Sequence, residues 1–186
     1  MKKALKYFAI GIIVAVLSFF SIGLIHPSFE YENSITVEAP VEIVYEIFTN
    51  ESLSSEWLLG FQGYEILEGE PLTVGAKLLM KFETDGQPYE FLEIMTAIEE
   101  NVEFSFDIDS DMFDMSVQIL FAEKDGVTTL TSTTYTRGRN AMYRSFWYIF
   151  KSVFQEQSQM NYDLLQGLIE REALTWQSHE DLLILD

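Results

Sequence analysis

Cysteine is absent from this chain of 186 residues, and histidine occurs only at His26 and His179. The first absence removes disulfides, thiolate metal sites and a thiol nucleophile, and it fits either side of a membrane. The second removes a three-histidine metal centre held within one chain. Basic residues are scarce as well, 11 against 30 acidic ones, for a formal net charge of −19. A field of that sign repels nucleic-acid phosphates and anionic lipid, so no nucleic-acid partner is expected. No P-loop or Rossmann glycine pattern occurs; Gly60, Gly63, Gly69 and Gly75 fall in strand connections. Internal repeats and low-complexity linkers are lacking too. With 48% apolar and 22% charged residues, the composition is that of a folded chain.

The charge is unevenly placed. Lys2, Lys3 and Lys6 open the chain and no acidic residue precedes Glu30. From Glu30 onward, 30 acidic groups face 8 basic ones, a net of −22. Between these parts, Tyr7 to Ile25 is 19 residues, 15 of them apolar. As a helix it extends about 28 Å, roughly a bilayer's hydrocarbon thickness. The lysines before it and the acidic sequence after it predict a cytoplasmic N-terminus and a domain outside. Retention as a single-pass anchor is the leading reading. A cleaved secretory signal, with Ser21-Ile22-Gly23 as a small-x-small site, and a buried soluble helix are the competitors. Gly11 and Gly23 lack GxxxG spacing, so nothing specific predicts helix pairing. The organisation read is a basic start (1–6), an anchor (7–25), a domain (30–173) and an acidic tail (174–186).

Within the domain, Tyr31 to Val37 reads as a strand. Pro40 then opens a helix with Val41, Val44, Tyr45 and Phe48 on one stripe. A second short helix runs from Leu53 to Leu59. Strands follow from Phe61, Gly75, Tyr89, Val102, Phe113 and Val127. Asp85-Gly86 and Asp125-Gly126 signal tight turns. Consecutive period-2 segments with connections too short for crossover helices predict an antiparallel sheet with one covered face. The cover is Asn140 to about Ala173, a proline-free helix with Met142, Phe146, Ile149, Phe150, Val153, Met160, Leu164 and Leu168 near 3.6-residue spacing, interrupted by Gln157, read as its buried stripe. At about 50 Å it exceeds most strands, so a bend or an exposed end is expected.

The segment Ile35-Thr36-Val37-Glu38-Ala39-Pro40-Val41-Glu42-Ile43-Val44-Tyr45 carries a resemblance to a known family. Trp57, Pro71-Leu72-Thr73-Val74-Gly75-Ala76-Lys77 and the long closing helix add to it. Over residues 31–171 the chain resembles the START-like, helix-grip superfamily, particularly its polyketide cyclase/dehydrase (SRPBCC) branch. The resemblance implies an α+β fold in which about seven antiparallel strands curve around a long C-terminal helix, with two short helices beside it. It further implies a hydrophobic cavity that takes lipids, sterols, polyketides or other apolar molecules; a minority of members are cyclases or hydrolases. None of these motifs is catalytic, so the resemblance speaks for the fold first.

The cavity expected from this fold is lined by Trp57, Met80, Phe91, Phe104, Phe106, Met115, Tyr135, Phe146 and Phe150. Tyr135, Thr133 and Asn33 are its candidate polar groups. Access is expected between the short helices near Trp57 and a strand loop. The competing reading is an ordinary solid core. Asp107, Asp109, Asp111 and Asp114 resemble the start of a calcium loop, but the sixth position is not glycine and the twelfth is Gln118. They read as a solvated turn, and no metal or cofactor is expected. Glu93 and Asp107 are examples of possible acid–base carboxylates and read as solvent-facing. His179 lies in a polar tail, and His26 marks the end of the anchor. Arg137, Arg139, Arg144 and Lys151 interleave with Tyr143, Trp147, Tyr148 and Phe154. That cluster suits lipid headgroups or a protein partner at Tyr143, Trp147 and Phe154, or else pairs with nearby carboxylates. Binding of an apolar or amphipathic small molecule is thus the leading function. A cyclase- or aromatase-type enzyme and a protein-interaction module with a filled core are the alternatives.

Overall fold

A computed structural model describes residues 2–183, with side chains through Ala173. Helix α1 (Lys2–Ile25) leads into β1 (Ser28–Val37), then the short helices α2 (Val41–Thr49) and α3 (Glu51–Trp57). Six strands follow: β2 (Phe61–Glu68), β3 (Lys77–Thr84), β4 (Gln87–Glu99), β5 (Glu103–Asp109), β6 (Phe113–Lys124) and β7 (Val127–Gly138). Two helices close the chain, α4 (Ala141–Ile149) and α5 (Lys151–Leu183). The seven strands form one antiparallel sheet in the order β1-β7-β6-β5-β4-β3-β2. This is the expected helix-grip arrangement. α5 continues to Leu183, into the stretch expected to be a tail.

Local chemistry explains the corners. Asp85-Gly86 and Asp125-Gly126 join their strands with both residues at positive φ (52° and 74°, 56° and 77°), as two-residue hairpin loops require. Pro40 caps α2 with φ −58°, a value its ring imposes. Asn50 caps α3, its Oδ1 accepting from the Ser52 amide. Register shifts between Met95 and Ala97, and twice in β2, bend the sheet where it must curve.

The long terminal helix is broken at Phe150, whose backbone (φ −97°, ψ 11°) separates α4 from α5. α5 lies along β1, an edge strand whose outward carbonyls would otherwise go unpaired. Gln155, Gln159 and Gln166 donate through Nε2 to the carbonyls of Glu32, Ser34 and Thr36 at 3.0, 3.3 and 3.2 Å. Three glutamines on one helical edge thus replace a missing neighbour strand. Farther along α5, Leu165, Leu168 and Ile169 are at most 2% exposed and belong to one core with Val44, Phe48, Trp57, Phe104, Phe121 and Leu130. Burial of such side chains at about 25 cal/mol per Å² drives the sheet onto the helix.

Candidate functional site

Strand parity decides what faces the helix. The register aligns Leu78, Glu93, Ile108, Met115, Thr136 and Phe29 as one row across β3, β4, β5, β6, β7 and β1. The next row holds Met95, Phe106, Val117, Thr134 and Tyr31, and the one after it Ile98, Phe104, Ile119, Ser132 and Asn33. These rows form the concave wall. Met95, Phe104, Val117 and Ile119 are buried on it, whereas Phe91, Phe106 and Met115 stay half-buried. The concave side therefore has a packed part and an incompletely covered apolar part.

Glu93 sits in the incompletely covered part. Its cross-strand neighbours are Leu78 and Ile108, and Phe91 and Met95 flank it on the same face of β4. The side chain is 7% exposed, and Glu93 is the only buried acidic residue among those described. No hydrogen bond or ion pair reaches its carboxylate from the described residues. Lys77 and Lys81, the basic residues of the neighbouring strand, lie on the opposite parity and pair with Glu68 and Glu65. Burial without compensation pushes the Glu93 carboxyl up to about 7. Glu93 is therefore buried on the concave wall, contrary to the solvent-facing position expected from the sequence. Leu92 and Ile94 are apolar too, so both parities of β4 looked able to face inward, and only the pairing with Leu78 and Ile108 resolves them. Asp107 pairs across to Ile94 and Ser116, on the opposite face, so it does not form a dyad with Glu93.

A second polar group of side chains runs beneath α5. Asn33 is 3% exposed and donates through Nδ2 to the Gln155 carbonyl and to Gln159 Oε1, while its Oδ1 is buried without a partner. Thr136 Oγ1 is likewise buried and unpartnered. Tyr31, held by Thr134 and Ser158, has its hydroxyl pKa raised by burial, and so does fully enclosed Tyr162. Buried polar atoms left unpaired in this way are uncommon and invite a polar ligand group or an ordered water.

The nine expected lining residues divide into three sets. Met80, Phe91, Phe104, Phe106 and Met115 are on the concave wall; Phe91 flanks Glu93 on β4, Phe106 lies diagonally across on β5, and Met115 stands in the Glu93 row two strands away. Trp57 is 6% exposed and packs on Phe48 at 5.4 Å, inside the core rather than at a mouth. Tyr135, Phe146 and Phe150 need correction. Tyr135 pairs with Ser116 and Glu30 on the convex face and is 43% exposed, as Thr133 shares its parity. Phe146 and Phe150 are 42% and 43% exposed, beside Met142 at 45%, on the outer face of α4. In their place Trp147 and Phe154 turn inward. Trp147 contacts Phe113 at 4.8 Å and Phe154 at 4.5 Å, and its Nε1 is buried. Of the three residues read as a protein-partner surface, Trp147 is thus packed against the sheet and Phe154 packs on Trp147. The cause is α1: its Gly23 takes the side of α4 that carries Ala141 and Ser145, which rotates the aromatic stripe outward.

Arg139 bridges Asp109 and Asp114, closing the acidic β5–β6 corner with an ion pair. No metal-holding group of acidic and histidine side chains occurs among the described residues. His179 lies outside the described side chains, and His26 stacks on Tyr148 with ring centroids 4.0 Å apart. An open cleft of about 760 Å³ lies beside α3 and β2, lined by Asn50, Glu51, Ser52, Ser55, Phe61 and Gln62 together with Gly63. Most of the residues lining it are polar, and they do not include the Glu93 wall.

Comparison with known proteins follows the fold. No curated protein matched the chain as a sequence relative. Among solved structures, a START superfamily protein from Mycobacterium smegmatis has 16% identity and a TM-score of 0.59, with 76% of this chain and 97% of that one covered. The Ara h 8.0201 structure has 16% identity, a TM-score of 0.61 and coverage of 76% and 97%. The di-domain ARO/CYC BexL of the BE-7585A biosynthetic pathway has 14% identity and a TM-score of 0.61; the match covers 92% of this chain and 59% of BexL. At these identities the likeness concerns the fold alone. The profile of the family described as "Activator of Hsp90 ATPase homolog 1-like protein" matches residues 38–170, most of the chain. The antiparallel sheet closed by α5 and this match together lead to one conclusion: the chain belongs to that family, within the START-like, helix-grip (SRPBCC) superfamily.

Proposed function

We propose that this chain is a membrane-anchored binder of an apolar or amphipathic small molecule, seated on the concave wall with its polar end against Glu93. The observation that carries this reading is the unpartnered, buried carboxyl of Glu93 on the same wall as Phe91, Phe106 and Met115, apolar groups packed against the core but only partly buried. A filled core would have covered those side chains and excluded the acid. A ligand tail that removes a few hundred Å² from water gains several kcal/mol at about 25 cal/mol per Å². A hydroxyl, amide or amine at its head would satisfy the carboxyl. The superfamily's association with hydrophobic ligands supports the same reading.

Anchoring rests on α1, 24 residues long with a best-window mean hydropathy of 2.7. By the charge rule its lysines stay cytoplasmic and the acidic domain lies outside. A secretory signal passes the same length and composition test; after carbonate extraction an anchor keeps full-length chain in the membrane pellet, and a cleaved signal leaves a shortened soluble chain. For the site, the test is carboxyl NMR of 13C-labelled glutamate during a pH titration, with and without the host's lipid extract. A ligand seated against Glu93 moves the midpoint from about 7; an unchanged midpoint in the presence of bound lipid contradicts the reading.

A second reading has its own support. A carboxyl that titrates near neutrality suits general acid–base work, and the fold is shared with BexL, whose name denotes an aromatase/cyclase. As an enzyme of that kind, the wall would hold a reactive chain while Glu93 moves one proton. Glu93→Gln separates the readings: with a polyketide-like substrate it abolishes turnover and spares uptake if Glu93 is catalytic, and it weakens uptake if Glu93 is only the polar anchor.

A further inference from the structure

Helices α1 and α4 meet through small residues and a hydrogen-bond bridge. Ser145 is fully buried; its Oγ accepts from the Gly23 amide at 2.9 Å and donates to the Phe19 carbonyl at 2.5 Å. In a regular helix those two backbone groups face each other, so Ser145 bonds to both ends of one rung of α1. A Cβ on Gly23 would stand 2.3 Å from the Ala141 carbonyl oxygen and 2.6 Å from Ser145 Oγ. His26, one residue beyond α1, stacks on Tyr148 of α4. The last two turns of α1 are therefore fixed to α4.

That contact has a consequence if α1 spans the bilayer, as proposed above. Were Phe19 to Ile25 held in water, only Tyr7 to Ser18 would remain, about 18 Å of helix and too short for a hydrocarbon core of ~30 Å. The contact must therefore lie at membrane depth, with Phe19 about 9 Å below the end of α1 at 1.5 Å per residue. Interfacial amphipathic helices sit ~5–10 Å into the headgroup–acyl boundary. The outer face of α4 suits that position: Met142, Phe146 and Ile149, one helical turn apart, and Phe150 and Val153 at the joint to α5 are 42% to 53% exposed. Charge agrees. Residues 1–29 and 126–155 hold none of the 30 acidic residues and seven of the 11 basic ones. The fold brings these two stretches together, and Arg139 pairs with Asp109 and Asp114 at the adjoining β5–β6 corner. Arg137 and Lys151 form no ion pair among the described residues; Lys151 Nζ lies over the Tyr148 ring at 5.2 Å.

We infer that α4 is an in-plane membrane helix, its Met142, Phe146 and Ile149 seated, with Phe150 and Val153 at the joint to α5, in the headgroup–acyl boundary of the same bilayer that α1 crosses. Trp147 on its inner side packs on Phe113, at the start of the strand that carries Met115, so this seat holds the uncovered concave wall beside the lipid surface. This inference rests on the anchor reading, and the experiment separates the two. The cysteine-free chain permits single labels at Ile149→Cys (α4), Ile12→Cys (α1) and Thr133→Cys (convex face). The labelled full chain is placed in phosphatidylethanolamine/phosphatidylglycerol vesicles, with nitroxide lipids and aqueous iodide as quenchers. The Ile149 label should be quenched by a shallow nitroxide and shielded from iodide, the Ile12 label quenched by a deep nitroxide, and the Thr133 label open to iodide. Gly23→Leu should release the Ile149 label to iodide and leave the Ile12 label in lipid. An Ile12 label in lipid with an Ile149 label open to iodide overturns the α4 seat and keeps the anchor. An Ile149 label shielded from both quenchers means that protein covers α4, which also overturns it. An Ile12 label open to iodide removes the anchor reading and the seat with it.

Discussion

The concave wall of the sheet and the outer face of α4 carry the same kinds of side chain, phenylalanine and methionine, yet the fold treats them differently. On the wall, Phe104, Val117 and Ile119 are closed over by α2, α3 and α5, and the remaining gap holds a lone buried acid. On α4, Met142, Phe146 and Phe150 have no cover from the sheet, because Gly23 of α1 occupies the helix's other side. An apolar stripe is thus a statement that a face must leave water, and its neighbours decide whether the destination is protein, ligand or lipid.

The comparison can be broken by substitution. The largest expected effect is at the packed part: Leu165→Ala, in a side chain with no exposure, should cost about 2–5 kcal/mol in denaturant unfolding of the detergent-solubilised chain. Next comes Glu93→Gln. Burial raises this carboxyl from its ordinary 4.5 to about 7. Between those values the unfolded chain ionises while the folded chain stays protonated, so stability falls as pH rises and is lowest above 7. The amide should raise stability at pH 8 by up to ~3 kcal/mol, add little below pH 4.5, and flatten the melting temperature between them. A smaller change follows at the α1–α4 contact, where Gly23→Leu forces a side chain against the Ala141 carbonyl. The expected cost is about 1–3 kcal/mol, read as faster proteolysis at the His26-Pro27 joint. The smallest effect is on the outer face: Phe146→Ser should shift unfolding in detergent by no more than about 0.5 kcal/mol. A loss there comparable to Leu165→Ala would mean that α4 is a core helix after all.

Strand parity was the most legible feature of the sequence. Phe104, Phe106 and Ile108 alternate with Ser105, Asp107 and Asp109, and the register keeps that alternation. The Asp-Gly pairs fixed two hairpins, because few residues other than glycine and aspartate tolerate their positive φ. Glu93 was hidden by a strand apolar on both faces. Tyr135 was misplaced because β7 is threonine-rich on both parities, so its pattern names neither face. The outward turn of Phe146 and Phe150 follows from Gly23 meeting Ser145, a contact 122 residues apart in sequence. The spacing of Ala141 and Ser145, two small residues one helical turn apart, was the only local trace of it.

Native mass spectrometry of the full chain, extracted gently from its host, tests the occupied wall most directly when three proteins are compared. The wild-type chain should carry a bound small molecule of discrete mass. Phe106→Trp, which narrows the space beside Glu93, should lose it, and Phe146→Trp, on the outer face of α4, should keep it. A chain that emerges empty, or an adduct retained by Phe106→Trp and lost from Phe146→Trp, would contradict a ligand seat on the concave wall.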